Sequence, residues 1–268
     1  MLMGITTTGT ITQMATTMAE TELFDLMTWM SPAWPIGAFA HSGGLEWAVE
    51  AGHVTDRAST ARWIADLLAN GAIRNDLVLF VHAWRAVSAG DSEALREVAE
   101  LALATQTGFE RRLESTAQGA AFRKIALATV PTHQEPNPGL PEDHAAAGGW
   151  SDRATTRAFA GIDTGELAYP VAAAALFAGT GIALQPALTA WLHGAVANLV
   201  SAAQRLVPLG QTDGQLVLRD CRPLVFAAVE DAAALPSGDP FDALGGCTLL
   251  ADLGCMAHET QYTRLFRT

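Results

Sequence analysis

Between Glu166 and Arg205 the chain carries no Asp, Glu, Lys or Arg. Such a run has to leave water, and apolar stretches of about 18 residues already suffice to span a bilayer. Its internal punctuation decides between a membrane and a protein core. Gly179-Thr180-Gly181 and Gln185-Pro186 divide it into two segments, 168–178 and 187–207. The first is mostly Ala and Val, a weak driving force for insertion, and no Lys or Arg cluster flanks it. The second sets Leu188, Trp191, Leu192, Val196, Leu199 and Val200 at helical spacing, with Asn198, Ser201 and Gln204 as polar interruptions. The stretch predicts a buried helical hairpin in a water-soluble chain, its small side chains letting other helices approach closely.

The flanking sequence is helical too. Leu23, Phe24, Leu26, Met27 and Met30 form a short amphipathic pattern that Pro32 and Pro35 stop, because each proline removes a donor and restricts the residue before it. Ser42 reads as a helix cap with Gly52 closing that helix, and Thr55 or Asp56 caps the next, which runs to Asn70-Gly71. Residues 77–87 follow. Residues 93–129 contain Gly108 and Gly119 and read as two helices or one with a break. After the hairpin, 215–234 is helical, 235–246 a loop, and 249–253 a last short helix. Alternating strand patterns are absent. The expected fold is all-α, one helical-bundle domain of about ten helices over 21–268 around the uncharged hairpin. Residues 1–20 are expected to be disordered, 131–149 to form a flexible Pro/Gly-rich loop, and 258–268 to form a polar tail.

The net charge of −12 argues against nucleic acid, whose phosphates need a basic face. With 50% hydrophobic and only 16% charged residues, the chain is expected to cover some of its surface with partners. Three dispersed cysteines and the lack of signal-peptide features point to a reducing compartment, the cytoplasm. No active site assembles. There is no His pair in H-E-x-x-H form, no G-x-S-x-G elbow beside His41-Ser42 and no phosphate-cradling glycine loop. His133 and His144 share a loop with Glu135, Glu142 and Asp143, a weak metal pattern at most.

Three segments carry more than packing requires. Residues 31–47 set Trp34, Phe39 and Trp47 around two prolines and three glycines, a rigid knuckle. Residues 205–211 end the uncharged stretch with a lone cation at a helix C-terminus. Residues 258–268 combine Tyr262, Phe266 and two Arg, side chains favoured at interface hot spots.

These segments resemble the urease accessory protein UreF family. The resemblance lies in Ser31-Pro32-x-x-Pro35-x-Gly37-x-Phe39 through Ser42-x-Gly44-Leu45-Glu46-Trp47, in Arg205-Leu206-Val207-Pro208-Leu209-Gly210-Gln211, in His258-Glu259-Thr260-Gln261-Tyr262-x-Arg264-Leu265-Phe266-Arg267, and in Glu114 with Gln118-Gly119. Departures occur around His41, at Gly43 and at Ala257, and the 131–149 loop has no counterpart. The resemblance implies an all-helical, non-catalytic chaperone of nickel urease maturation. It implies a homodimer that joins a UreD/UreH-type accessory protein and the GTPase UreG to apo-urease and gates nickel insertion. No cofactor is bound directly; nickel and GTP are handled by the complex. On this reading Ser31, Pro35, Gly37, His41, Ser42, Glu46, Arg205 and Gln211 face the GTPase, and His258, Glu259, Gln261, Tyr262, Arg264, Leu265, Phe266 and Arg267 dock the UreD/UreH partner. Two alternatives stand beside it. One is activation of the GTPase by an Arg in trans, Arg205 or one of Arg111-Arg112; the other is direct nickel carriage by His133, His144 or His258.

Overall fold

A computed structural model describes residues 18–130, 158–159, 161–162 and 165–268. The 131–149 loop, with His133 and His144, and most of the 1–20 segment lie outside them. The described residues form eleven α-helices and one 3-10 turn, with no strand among them. The helices are α1 (Glu20–Trp29), α2 (Leu45–Glu50), α3 (Arg57–Asn70), α4 (Ala72–Ala89), α5 (Ser92–Ala104), α6 (Phe109–Thr129), α7 (Tyr169–Gly179), α8 (Leu184–Leu206), α9 (Gln211–Ala233), α10 (Pro240–Ala243) and α11 (Leu249–His258).

The uncharged stretch becomes α7 and α8, and residues 170–177 of α7 are all buried. The two arms pack less against each other than against the rest of the bundle: α7 lies on α4 and α6, and α8 lies on α9. Both arms need a neighbour along their length, so each finds a separate one. Phe177 is the hub, stacked on Trp29 at 5.5 Å and edge-on to Phe80 and Phe122 at 6.0 and 6.2 Å. Ala-rich α7 is a slim rod that brings these rings together. No helix among the described residues is long and apolar enough to cross a membrane.

Local chemistry explains most boundaries. Asp56 caps α3, its Oδ1 accepting from Ser59 N–H at 2.8 Å while Ser59 Oγ accepts from Asp56 N–H. The 93–129 pattern is two helices, separated at Gly108. Helix α4 starts at Ala72, five residues before the expected 77, because Gly71 both ends α3 and opens α4. Helix α9 likewise starts at Gln211 rather than 215 and accommodates Pro223 within it. The 235–246 loop contains the short α10, and α11 runs to His258, well past the expected 253. Helix α2 starts at Leu45 with Gly44 as its N-cap, not Ser42, although Ser42 Oγ still accepts from Glu46 N–H at 3.4 Å. Gly44 adopts φ +81°, and a Cβ there would meet Ala251 O and Cys255 Sγ at 3.0 Å, so the glycine lets α11 pack onto the start of α2.

On α1, partial burial and then neighbouring Glu22 raise the Asp25 carboxyl from 3.8 to about 6. The folded chain therefore holds a proton that the unfolded chain has lost, so this group costs stability as pH rises from about 4 through 6. Asp25→Asn removes that cost. Its urea midpoint should match wild type at pH 4 and exceed it at pH 7; an offset independent of pH would contradict the assignment.

Candidate functional site

Helix ends place the central charges. Glu46 and Glu110 occupy the first turns of α2 and α6, where carboxylates complement the helix dipole, and His258 occupies the last turn of α11, where a cation does. The packing of α11 on α2 and α6 brings these three ends together. His258 is 0% exposed. Its Nε2 lies 3.0 Å from Glu46 Oε2 and its Nδ1 lies 2.7 Å from Glu110 Oε2. Ionised carboxylates only accept hydrogen bonds, so for both contacts to form the three groups share one proton beyond a neutral ring and two carboxylates. Arg264 Nη1 donates to Glu110 Oε1 at 3.2 Å, which balances the two acids with two cations.

The same carboxylates hold the tail. Glu46 accepts from the backbone N–H groups of Leu265 (2.6 Å) and Phe266 (2.9 Å), two donors that would otherwise lack an acceptor at a buried turn. Beyond them the chain pairs with the knuckle. Arg267 N–H donates to Ala40 O at 2.8 Å, Ser42 N–H donates to Thr268 O at 2.7 Å, Ser42 Oγ donates to the same oxygen at 3.1 Å, and His41 Nδ1 lies 2.6 Å from Thr268 Oγ1. Burial holds the His41 imidazole below its ordinary value, against the pull of Glu114. Arg205 completes the joint: its Nη1 donates to Phe39 O at 2.7 Å and its guanidinium sits 4.1 Å above the buried Phe266 ring.

Members of the two residue sets expected to face separate partners therefore meet in one latch. His41, Ser42, Glu46, His258 and Phe266 are buried in it. Their polar atoms are enclosed because two chain segments meet over them. The exposed large apolar side chains of the tail are Tyr262, fully in solvent, and Leu265. Glu259 Oε1 accepts from Phe109 N–H at 3.2 Å, and Gln261 Nε2 donates to Thr263 O at 3.0 Å. Ser31, Pro35 and Gly37 lie on the knuckle, where Ser31 O accepts from Trp34 N–H at 2.9 Å. Gln211 opens α9 and accepts from Gln204 at 3.2 Å.

A second interior cluster lies nearby. Arg111 pairs with Asp76 and stands 3.5 Å from Glu114, which accepts from Gln118 at 3.2 Å. Arg111 is thus enclosed by ion pairs with two interior acids. Arg112 is tied to Glu166, and Arg205 to Phe39 and Ser201. His258, with both ring nitrogens engaged, has no lone pair for a metal as folded, and no group of three or more His, Cys, Asp or Glu among the described residues is arranged to hold one.

Glu110 and Asp76 were missed from sequence. Glu110, in Phe109-Glu110-Arg111-Arg112, looks like an ordinary acidic helix start, and its partner His258 is 148 positions away. Its one signal is burial of a first-turn acid, invisible without the fold.

An all-helical scaffold whose polar residues lock a folded-back tail, rather than align on a reacting atom, is the kind of protein that presents surfaces to others. Comparison with known proteins agrees. The UreF family profile matches residues 54–222. The chain is 47% identical to a urease accessory protein UreF of Rhodopseudomonas palustris strain HaA2, over 92% of this chain and 93% of that one. It is 46% identical to that of strain BisB5, over 92% and 91%. Against the counterpart of Bradyrhizobium sp. strain BTAi1 the identity is 44%, over 92% of both chains. The chain belongs to the UreF family of urease accessory proteins, non-catalytic proteins of urease maturation.

Proposed function

We propose that this chain is the adaptor of a cytoplasmic urease maturation complex. It works as a homodimer that joins a UreD/UreH-type accessory protein and the GTPase UreG to apo-urease and gates nickel insertion, nickel and GTP being handled by the complex. The tail presents Tyr262 and Leu265 to the UreD/UreH partner, flanked by Leu249, Leu253 and Met256 on the exposed side of α11. The knuckle residues Ser31, Pro35 and Gly37, with Arg205 and Gln211, face the GTPase. His41, Ser42, Glu46 and His258 act from beneath, fixing the tail to the knuckle.

The observation that carries this reading is the division of labour within the tail. Its inward groups are pinned by Glu46 and Glu110, while Tyr262 and Leu265 are left in solvent. Large apolar side chains held rigidly in water suit an interface, because little conformational entropy remains to be lost on binding. Truncation at 258 would remove His258 and Phe266 from the interior, so point variants are the better probe. In co-expression, Tyr262→Ala with Leu265→Ala should lower recovery of the UreD/UreH partner at least tenfold while leaving thermal stability within about 2 °C of wild type, as surface substitutions do. Undiminished recovery would remove the tail from the interface.

A further inference from the structure

Every carboxylate oxygen of the latch is engaged. Glu46 Oε1 accepts from Leu265 N–H and its Oε2 from Phe266 N–H, while Glu110 Oε1 accepts from Arg264. The two Oε2 atoms also face opposite nitrogens of the buried His258 ring, at 3.0 Å from Glu46 and 2.7 Å from Glu110. A neutral imidazole donates from one nitrogen only, so an imidazolium is what lets the ring donate to both acids.

The surrounding charges are committed elsewhere or do not titrate. Arg264 and Arg267 of the tail stay charged at any ordinary pH. On α6, Arg111 is taken by Asp76 and Glu114, and Arg112 by Glu166. On α11, Asp252 accepts from Thr107 and Cys247, and just beyond that helix Glu259 accepts from Phe109 N–H. Burial pushes the Cys255 thiol up to about 12 and holds His41 below its ordinary value, so neither changes charge between about pH 7 and 9.

We propose that the latch is a proton-operated clasp: the docked tail needs the imidazolium of His258, and loss of that proton releases the tail. Without the proton, one carboxylate oxygen would face a ring lone pair inside a closed joint, and lifting the tail relieves this by admitting water. In the open form a hydrated histidine titrates near 6.5. Above that value opening sheds a proton, so the open fraction grows with pH, by up to about tenfold per unit. Tyr262 and Leu265 ride on this tail, so partner docking weakens as pH rises; this regulation rests on the reading of the tail as the docking element.

The test uses the full chain without a partner, so its failure is distinct from failure of the tail variants in co-expression. Amide exchange of Leu265 and Phe266 is followed by NMR between about pH 6.5 and 8.5, and protection is taken relative to the intrinsic rate at each pH. In wild type, protection should fall about fivefold or more per pH unit. Glu110→Gln supplies an amide that donates to a neutral ring and still accepts from Arg264, so its tail protection should stay within about twofold. Constant protection in wild type would overturn the clasp. A wild-type slope in Glu110→Gln would overturn it too, because the proton would then sit elsewhere. If the variant's tail is open at every pH, the ring nitrogens of 15N-histidine-labelled wild type decide, with His258→Gln assigning the signals. Two N–H signals from His258 at about pH 7.5 would support the clasp, and one N–H signal with the tail still protected would overturn it.

Discussion

Glu46→Ala should free the C-terminal tail. The substitution removes the acceptor of two backbone N–H groups, those of Leu265 and Phe266, and one of the two carboxylates facing a fully buried His258. Breaking one side of a buried charge pair costs about 3–5 kcal/mol. The chain can relieve most of it locally: once the tail lifts away, its N–H groups find water. The effect should therefore appear as release of the tail before loss of the fold. In native-state hydrogen exchange the Leu265 and Phe266 amides should lose protection by a factor of about a hundred or more, while amides of α4 and α7 change little. Glu46→Gln keeps a carbonyl acceptor and loses the charge, so it should fall between the two. Unchanged tail protection in Glu46→Ala would mean that the knuckle pairing alone holds the tail.

Gly119→Ala should be the most damaging of the conservative substitutions considered. Gly119 sits inside α6 where the chain enters α7, and an added Cβ would stand 2.0 Å from Leu167 O and 2.9 Å from Leu167 C. These are backbone atoms leading into a helix with eight consecutive buried residues, 170–177, so they cannot swing aside as a side chain would. Alanine gains about 1 kcal/mol of helix propensity over glycine. Separating α6 from α7 costs more, because the whole contact between the two helices must loosen; a net destabilisation of about 3 kcal/mol is expected. In a chain of this size that lowers Tm by roughly 6–12 °C. A variant melting within 2 °C of wild type would show that α6 and α7 do not meet this closely. Gly214 offers a contrast, since a Cβ there meets only the flexible Gln204 side chain.

The legible features were local ones. Asp56 and the Pro32/Pro35 pair mark their boundaries through capping and lost donors, which depend on neighbours a few residues away. Gly71 misled because one residue ends α3 and opens α4, so no gap remained to be seen. Helix α11 continues through Gly254, which lets Trp47 approach, its missing Cβ lying 2.9 Å from that ring. The knuckle, Arg205 and the tail could each be singled out by residue type. Their convergence could not, because it depends on His258 meeting Glu46 and Glu110 across more than a hundred residues of chain. A tail rich in Arg and aromatics reads equally as a free arm, and only the buried carboxylates beneath it reveal that it is anchored.

The central claim is that the latch exists to hold Tyr262 and Leu265 against the UreD/UreH-type partner. Its most direct test is size-exclusion chromatography with mass measurement of this chain co-expressed with that partner. Wild type, Glu46→Ala and the Tyr262→Ala/Leu265→Ala double variant are run side by side. Wild type should elute as a joint assembly, and both variants should elute mainly as separate components: the first because its tail is loose, the second because its tail is docked but blank. Assemblies of equal mass and yield from all three proteins would contradict the account.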